Sequence, residues 1–276
     1  MQQAQTSTLR AAEAGRASDD RTRARQLANT ARCLLELETD IGRSRALIAE
    51  AGAIAGPVGL ELCELYWAHG LLERWDGNED HAVSSLARAL DLARRDKDRW
   101  REYKCLTWLA MLERERGRYA DMRARCAELE TVAARLGDDE APLVKTLQAL
   151  AGLATGEPSA DDALASALTR LRAVDDKSYL AYALNGAAHL YRQAGRTRQA
   201  RFCASEALTV ASVMRRHSEI AIARALLAPA GEVTSAQDIE AASGRDDLSV
   251  RARAALVASN ARPEDSNGGS HAKPVD

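Results

Sequence analysis

Two stretches of the chain share one pattern: G-L-L-E-R-W-D-G-N-E-D-H-A-V-S-S-L-A-R-A-L from Gly70 to Leu90, and A-H-L-Y-R-Q-A-G-R-T-R-Q-A-R-F-C-A-S-E-A-L from Ala188 to Leu208. In each stretch a glycine, Gly77 or Gly195, lies seven positions after the first residue and separates two segments with helical spacing. A recurring pattern indicates a repeat architecture, because each unit buries its apolar face only against its neighbours. The sequence therefore predicts a stack of helix pairs.

Small residues recur at matching places in these pairs. Gly70 and Ala188 lie within the first helix of their pair, and Ala82 and Ala200 lie five residues after the glycine turn. Small side chains let two helices approach closely. The comparable positions of the predicted second helices are Ala46, Ala82, Met122, Ala163 and Ala200, which are spaced by roughly 36 to 41 residues.

The composition favours helix throughout. Alanine, leucine, arginine and glutamate dominate, aromatic residues make up only 4% of the chain, and Phe202 is its single phenylalanine. The formal net charge of −2 gives no reason to expect a polyanion partner. It argues against nucleic-acid binding through the arginine-rich stretch at 192–201, although that alternative stays open.

The cysteines do not predict a disulfide framework or a zinc site. They number five, occur singly within helical patterns, and form no C-x-x-C motif. We interpret them as buried reduced thiols. Neither a signal peptide nor a stretch of membrane-spanning length occurs, so we expect a cytoplasmic protein with no membrane partner.

The organisation along the chain predicts three segments. Residues 1–18 are expected to be flexible, residues 19–232 to form the helical stack, and residues 233–276 to be a weakly structured to disordered tail in which 247–258 forms at most a short helix. Within the stack we expect about five helix pairs, the second of which starts with a helix over 58–74. A final helix over 218–227 covers the last exposed face.

These residues resemble the tetratricopeptide repeat family. The fifth unit fits that family's pattern best, with Leu184, Ala188, Tyr191, Gly195, Ala200 and Ala207, and the second unit offers Tyr66, Gly70, Gly77, Ala82, Leu86 and Ala89. The resemblance implies an all-α, right-handed α-solenoid of about five helix pairs plus a capping helix. The longer loops are similar to the C-terminal repeat regions of bacterial signalling ATPases and LuxR-type transcription activators, which implies a sensor or scaffold part.

The resemblance also implies a concave groove lined by the first helices. The family's groove positions correspond here to Trp67, Arg74, Trp75, Lys104, Arg114, Lys145, Gln148, Tyr182, Asn185, His189 and Arg192. The last four residues lie three or four positions apart and share one helix face. Their donors would suit the backbone and carboxylates of an extended peptide. The alternatives are a solvated helix face for this stripe and a core position for the two tryptophans.

Catalytic motifs are missing from the sequence. It contains no phosphate-binding G-x-x-x-x-G-K-[ST] loop, no H-E-x-x-H and no G-x-S-x-G, and the paired acids at 138–139 and 161–162 suit helix starts. We therefore expect no enzyme, cofactor or metal site. The leading hypothesis is a scaffold that binds a peptide or helix of a partner protein in bacterial regulation or complex assembly. A sensor that binds a small effector is the alternative, and a homodimer through a terminal repeat stays open.

Overall fold

The computed structural model of the chain describes residues 20–138, 141–228 and 248–260. These residues form twelve α-helices, one short 3-10 turn and no strand, which confirms the all-α prediction for this part of the chain. The predicted flexible segment 1–18 and most of the predicted tail lie outside it. The helices are α1 Asp20–Glu36, α2 Ile41–Ala55, α3 Cys63–Asp76, α4 Glu79–Arg95, α5 Arg99–Glu115, α6 Tyr119–Arg135, α7 Pro142–Ala154, α8 Ala160–Ala173, α9 Lys177–Gln193, α10 Thr197–Met214, α11 His217–Leu227 and α12 Val250–Asn260.

The helices form two layers that alternate along the chain. Each of α1 to α11 packs on the next helix in sequence, and each odd-numbered helix of this set also packs on the next odd-numbered one. Among the described residues, the backbones of the even-numbered helices from α2 to α10 pack closely only on odd-numbered neighbours, and ion pairs between long side chains join α4 to α6 and α8 to α10. The odd-numbered helices therefore make a continuous inner layer, and the even-numbered ones cover its outer side. The architecture is helical and repeat-like.

The inner layer curls so that its two ends meet. Glu38, in the turn between α1 and α2, accepts hydrogen bonds from Arg216 (3.0 Å) and from the backbone N–H of Ser218 at the start of α11 (2.9 Å). Helix α12 packs on α11 and also reaches α3. A helix thus lies within the stretch for which the sequence predicts a weakly structured tail.

The close approach of helices α3 and α4 explains why the small residue at position 70 is a glycine. A Cβ atom at Gly70 would lie 2.6 Å from Cγ of Leu86 and 3.3 Å from the carbonyl oxygen of Ala82. Ala82 and Leu86 are fully buried on α4. Glycine at position 70 therefore lets α3 and α4 pack at short range.

Glycine residues end several helices, as the sequence predicts. Gly77 (φ 81°), Gly117 (φ 70°) and Gly195 (φ 71°) all take the left-handed conformation that favours glycine. Other helices end with the same geometry at a residue with a side chain, including Lys97 (φ 56°) and Asp175 (φ 55°). The sequence gives no signal for these turns.

Three local predictions are wrong. The helix predicted over 58–74 is Cys63–Asp76, because a 3-10 turn ends at Gly59 with φ 62° and Leu62 is extended. Ala46 and Ala163, predicted to match buried Ala82, are exposed. In α2 the place of Ala82, fourth in its helix, belongs to Ser44, which is buried. In α8 the buried residues that lie nearest to Ala163 in the sequence are Ala160 and Leu164.

Candidate partner-binding cleft

The tryptophans of the predicted groove are buried. Trp67 is 1% exposed, and its ring lies 5.8 Å from that of Trp100 and 4.5 Å from the guanidinium of Arg32. Trp75 is also buried, at 6% exposure. Both rings thus lie in the interior of the molecule, which agrees with the alternative that these tryptophans are core residues. Their role in partner binding stays a prediction.

Two other predicted groove residues bond to side chains of other inner-layer helices. Nζ of Lys104 on α5 donates to Oη of Tyr179 on α9 at 2.7 Å. Nε of Arg74 on α3 donates to Glu115 on α5 at 2.9 Å, and the Arg74 guanidinium lies 5.3 Å from the ring of Trp108. Lys104 and Arg74 therefore already have partners within the chain.

Lys145 and Gln148 lie apart from the other predicted residues. They line a cleft of about 600 Å³ between α7 and α8, and both donate to the carboxylate of Glu130 on α6. The structure therefore does not bring them together with the residues of α9 in one continuous groove.

Four predicted residues do share one cleft. Arg114, Asn185, His189 and Arg192 line a space of about 780 Å³ between the end of α5, α9, α11 and α12. Apolar residues of α11 and α12, including Ile222 and Ala255, form another part of the wall. Three further charged residues line it, Glu115, Arg116 and Arg251. Because its arginines outnumber its single acidic residue, we call this space the basic cleft.

Arg114 is fixed in the wall of the basic cleft by Tyr182. Its guanidinium lies 4.3 Å from the centre of the Tyr182 ring, and its Nε donates to Tyr182 Oη at 2.8 Å. Tyr182 Oη in turn donates to the carbonyl oxygen of Met111 at 2.9 Å. Both residues are buried, at 9% and 2% exposure. The predicted residue Tyr182 therefore positions Arg114 from beneath rather than facing the cleft.

Gly186 makes room for this guanidinium. A Cβ atom at position 186 would lie 3.0 Å from Nη1 and 3.3 Å from Cζ of Arg114. Gly186 lies in the middle of α9, where glycine costs roughly 0.5–1 kcal/mol relative to alanine. Close approach of Arg114 to the helix backbone is a physical reason for a glycine at this position.

Asn185 and Arg251 are joined through Glu219. Nδ2 of Asn185 donates to Oε2 and to the carbonyl oxygen of Glu219, at 2.8 and 3.0 Å, and Arg251 donates to Oε1. Oδ1 of Asn185 is buried and has no hydrogen-bond partner among the described residues. The amide nitrogen of Asn185 is thus used within the fold, whereas its enclosed oxygen accepts no hydrogen bond from the described residues.

The acidic group of the basic cleft is already neutralised. Burial by itself would raise the pKa of Glu115, but Arg74 and Arg251 beside it lower that pKa to about 2. Nη1 of Arg251 lies 3.5 Å from Oε1 of Glu115. Glu115 is therefore ionised at neutral pH, and its charge is matched by two arginines.

His189 is neutral at physiological pH. Desolvation against the cleft wall and the positive charges of Arg114, Arg192 and Arg251 lower its pKa from the ordinary value. The neutral ring offers one N–H donor and one acceptor to the cleft.

Two arginines of the basic cleft have no carboxylate partner in the part of the chain that the structure describes. No carboxylate oxygen of the described residues lies within 4.0 Å of Arg114 or Arg192. Arg192 donates only to the carbonyl oxygen of Ala225, at 3.0 Å. Arg116, in contrast, pairs with Glu79, Asp80 and Glu113. Because buried charges are ordinarily paired, this arrangement favours an anionic ligand.

Sequence reasoning missed Arg251, which closes one side of the basic cleft. The alanine-rich stretch around it predicts a short helix, but no local pattern indicates that this helix packs on α11. In the described residues no group of three or more histidine, cysteine or acidic side chains is arranged to hold a metal ion. No helix in the described ranges combines the length and the apolar character needed to cross a membrane.

The chain matches no protein-family model, no curated protein and no solved structure.

Proposed function

We propose that this chain is a non-catalytic scaffold that binds an acidic segment of a partner protein in the basic cleft. The observation that carries the proposal is the presence of two guanidinium groups, those of Arg114 and Arg192, that line an open cleft and have no carboxylate partner within the described ranges. An acidic side chain of a partner would supply the missing charge through charge-assisted hydrogen bonds.

The repeat-like packing supports a tetratricopeptide-like scaffold. Among the described residues, ion pairs join residues 34 positions apart in four places, at Arg95–Glu61, Arg94–Glu128, Arg123–Glu157 and Arg172–Glu206. A separation of 34 residues is the period of the tetratricopeptide repeat. A right-handed solenoid of about five pairs, a cytoplasmic location and a role in bacterial regulation or complex assembly belong to this proposal.

The direct test uses a fluorescent decapeptide of glutamate and the full chain, with binding read by anisotropy. We expect saturable binding that weakens as salt rises, and we expect Arg192→Glu to abolish it. Arg201→Glu is the matched control, because Arg201 is exposed on α10 and does not line the basic cleft. Equal binding by both variants, or no binding by the unaltered chain, would overturn the proposal.

Natural partners are then identified by affinity capture and mass spectrometry with the same three proteins. A partner recovered by the unaltered chain and by Arg201→Glu, but not by Arg192→Glu, is a cleft-dependent partner. Overlapping peptides of that partner locate the segment that binds, which we expect to be acidic.

A sensor that binds a small anionic effector is the second candidate. The observation that favours it is the wall formed by α12, because the resulting volume of about 780 Å³ lies within the roughly 300–1,000 Å³ of small-molecule sites. A small anion that raises the thermal midpoint of the unaltered chain but not of Arg192→Glu, with no decapeptide binding, would favour this candidate over the scaffold.

A further inference from the structure

Two arginines that line the basic cleft have no carboxylate beside them in the described part of the chain. Arg251 is paired with Glu219 and Glu115, and Arg116 is paired with three carboxylates of its own surroundings. Arg114 and Arg192 have no carboxylate oxygen within 4.0 Å among the described residues. A single carboxylate of a ligand carries one negative charge, whereas a phosphate monoester carries about −1.5 to −2 at pH 7 and can pair with both arginines.

The side chain of Arg114 is held in place before any ligand binds. Its Nε is occupied by Tyr182 Oη and its face by the Tyr182 ring, so the terminal nitrogens Nη1 and Nη2 are left without a hydrogen-bond partner in the described residues. The planar guanidinium matches two oxygens of a phosphate at once. Since the side chain is already held, little conformational freedom is lost when an anion binds.

The apolar part of the cleft wall favours a peptide over a free anion. Ile222 on α11 and Ala255 on α12 line the basic cleft. The side chains of a peptide can cover such apolar surface, whereas inorganic phosphate cannot.

From these observations we infer that the basic cleft binds a phosphorylated serine or threonine of the partner segment, with its phosphate between Arg114 and Arg192. His189, one turn from each of Asn185 and Arg192 on α9, adds one N–H donor to the phosphate. This inference rests on the proposed function and specifies the chemistry of its partner.

The test compares three alanine pentapeptides with blocked ends that carry phosphoserine, glutamate or serine at the centre, together with inorganic phosphate. Calorimetric titration of the full chain measures each affinity. We expect the phosphoserine peptide to bind about tenfold or more tightly than the glutamate peptide, because the phosphate makes additional charge-assisted hydrogen bonds. We expect weaker binding of inorganic phosphate and no measurable binding of the serine peptide.

Gly186→Ala separates this role from folding. The added methyl displaces the Arg114 guanidinium, so we expect a loss of about tenfold in phosphoserine-peptide affinity. Alanine also favours the helix, so the thermal midpoint is expected to stay unchanged or to rise. Gly52→Ala is the matched control, because it makes the same change within α2 and its Cβ would meet nothing within 4 Å.

Each result decides between the two proposals. Equal affinities for the phosphoserine and glutamate peptides overturn the phosphate inference and leave the scaffold proposal intact. Inorganic phosphate that binds as tightly as the phosphoserine peptide overturns the inference that the ligand is a peptide segment. If Gly186→Ala and Arg192→Gln leave phosphoserine-peptide binding unchanged, the anion binds elsewhere and the inference is overturned. If none of the ligands binds, the inference is also overturned. The glutamate decapeptide then tests the scaffold proposal separately.

Discussion

The inner and outer layers of the molecule both carry many arginines, but they use them in opposite ways. On the outer side, pairs such as Arg94–Glu128 and Arg172–Glu206 join neighbouring even-numbered helices, and their side chains are 26–39% exposed. On the inner side, pairs such as Arg74–Glu115 and Arg216–Glu38 are 7–16% exposed. The outer pairs repeat a local relation, whereas the Arg216–Glu38 pair joins residues 178 positions apart.

The outer pairs accompany the repeated helix packing, whereas the inner pairs include the contact that joins the two ends of the stack. Exposed ion pairs contribute about 0–1 kcal/mol each to the free energy of unfolding. The outer pairs are therefore expected to contribute little to the stability of the helical stack. Removal of one partner from a buried pair leaves a charge without compensation and costs about 3–5 kcal/mol. We infer that the inner contacts fix how the stack curls, and therefore the shape of the basic cleft.

The largest expected effect is that of Glu115→Gln. The change leaves Arg74 and Arg251 with one carboxylate fewer in a buried place, so we expect a loss of about 3–5 kcal/mol in the free energy of unfolding. Glu206→Gln on the outer side is the control and is expected to cost less than about 1 kcal/mol. Chemical denaturation followed by circular dichroism measures both, and similar losses in the two variants would contradict the comparison.

The pH dependence of stability follows from the same carboxylate. Because the pKa of Glu115 is lowered from 4.5 to about 2, its contribution to stability is fully present above pH 4.5 and is lost as the pH falls toward about 2. Denaturation midpoints measured from neutral to acid pH are expected to fall more steeply for the unaltered chain than for Glu115→Gln. Parallel curves for the two proteins would show that Glu115 has the same pKa in the folded and the unfolded state, which would contradict this prediction.

A pair of glycine substitutions tests how α12 is held against the inner layer. Gly77 and Gly195 share the left-handed conformation, so alanine at either position costs roughly 1–2 kcal/mol in backbone strain. At Gly77 alone, the added Cβ would also lie 2.8 Å from Cγ1 of Val250 on α12. We expect Gly77→Ala to cost about 1–3 kcal/mol more than Gly195→Ala and to increase amide exchange in α12. Equal losses and unchanged exchange would show that α12 does not depend on this contact.

The smallest expected effect belongs to the outer pairs. Arg94→Gln removes the contacts of Arg94 with both Glu102 and Glu128, yet we expect a change of less than about 1 kcal/mol. The difference from the unaltered chain is expected to vanish near 1 M salt, where the screening length is about 3 Å. A larger effect that persists in salt would mean that the outer pairs also shape the stack.

Among the sequence predictions, those that depend on short stretches of chain agree best with the structure. The all-α class, the helix ends at Gly77 and Gly195 and the small residue at Gly70 follow from helix propensity, glycine backbone freedom and close helix packing. The helix ends at Lys97 and Asp175 escaped prediction, because a residue with a side chain takes the left-handed conformation only when its surroundings compensate the strain.

The candidate site divides in the same way. The sequence alone identified Asn185, His189 and Arg192 as one face of one helix, because positions three and four apart share a face. The family resemblance had already placed Arg114 in the same groove. Only the tertiary structure added Arg251 to this face, buried Trp67 and Trp75, and separated Lys145 from the rest. It also decided which arginines lack a carboxylate, since ion pairing depends on distances between distant parts of the chain that no local pattern of residues contains.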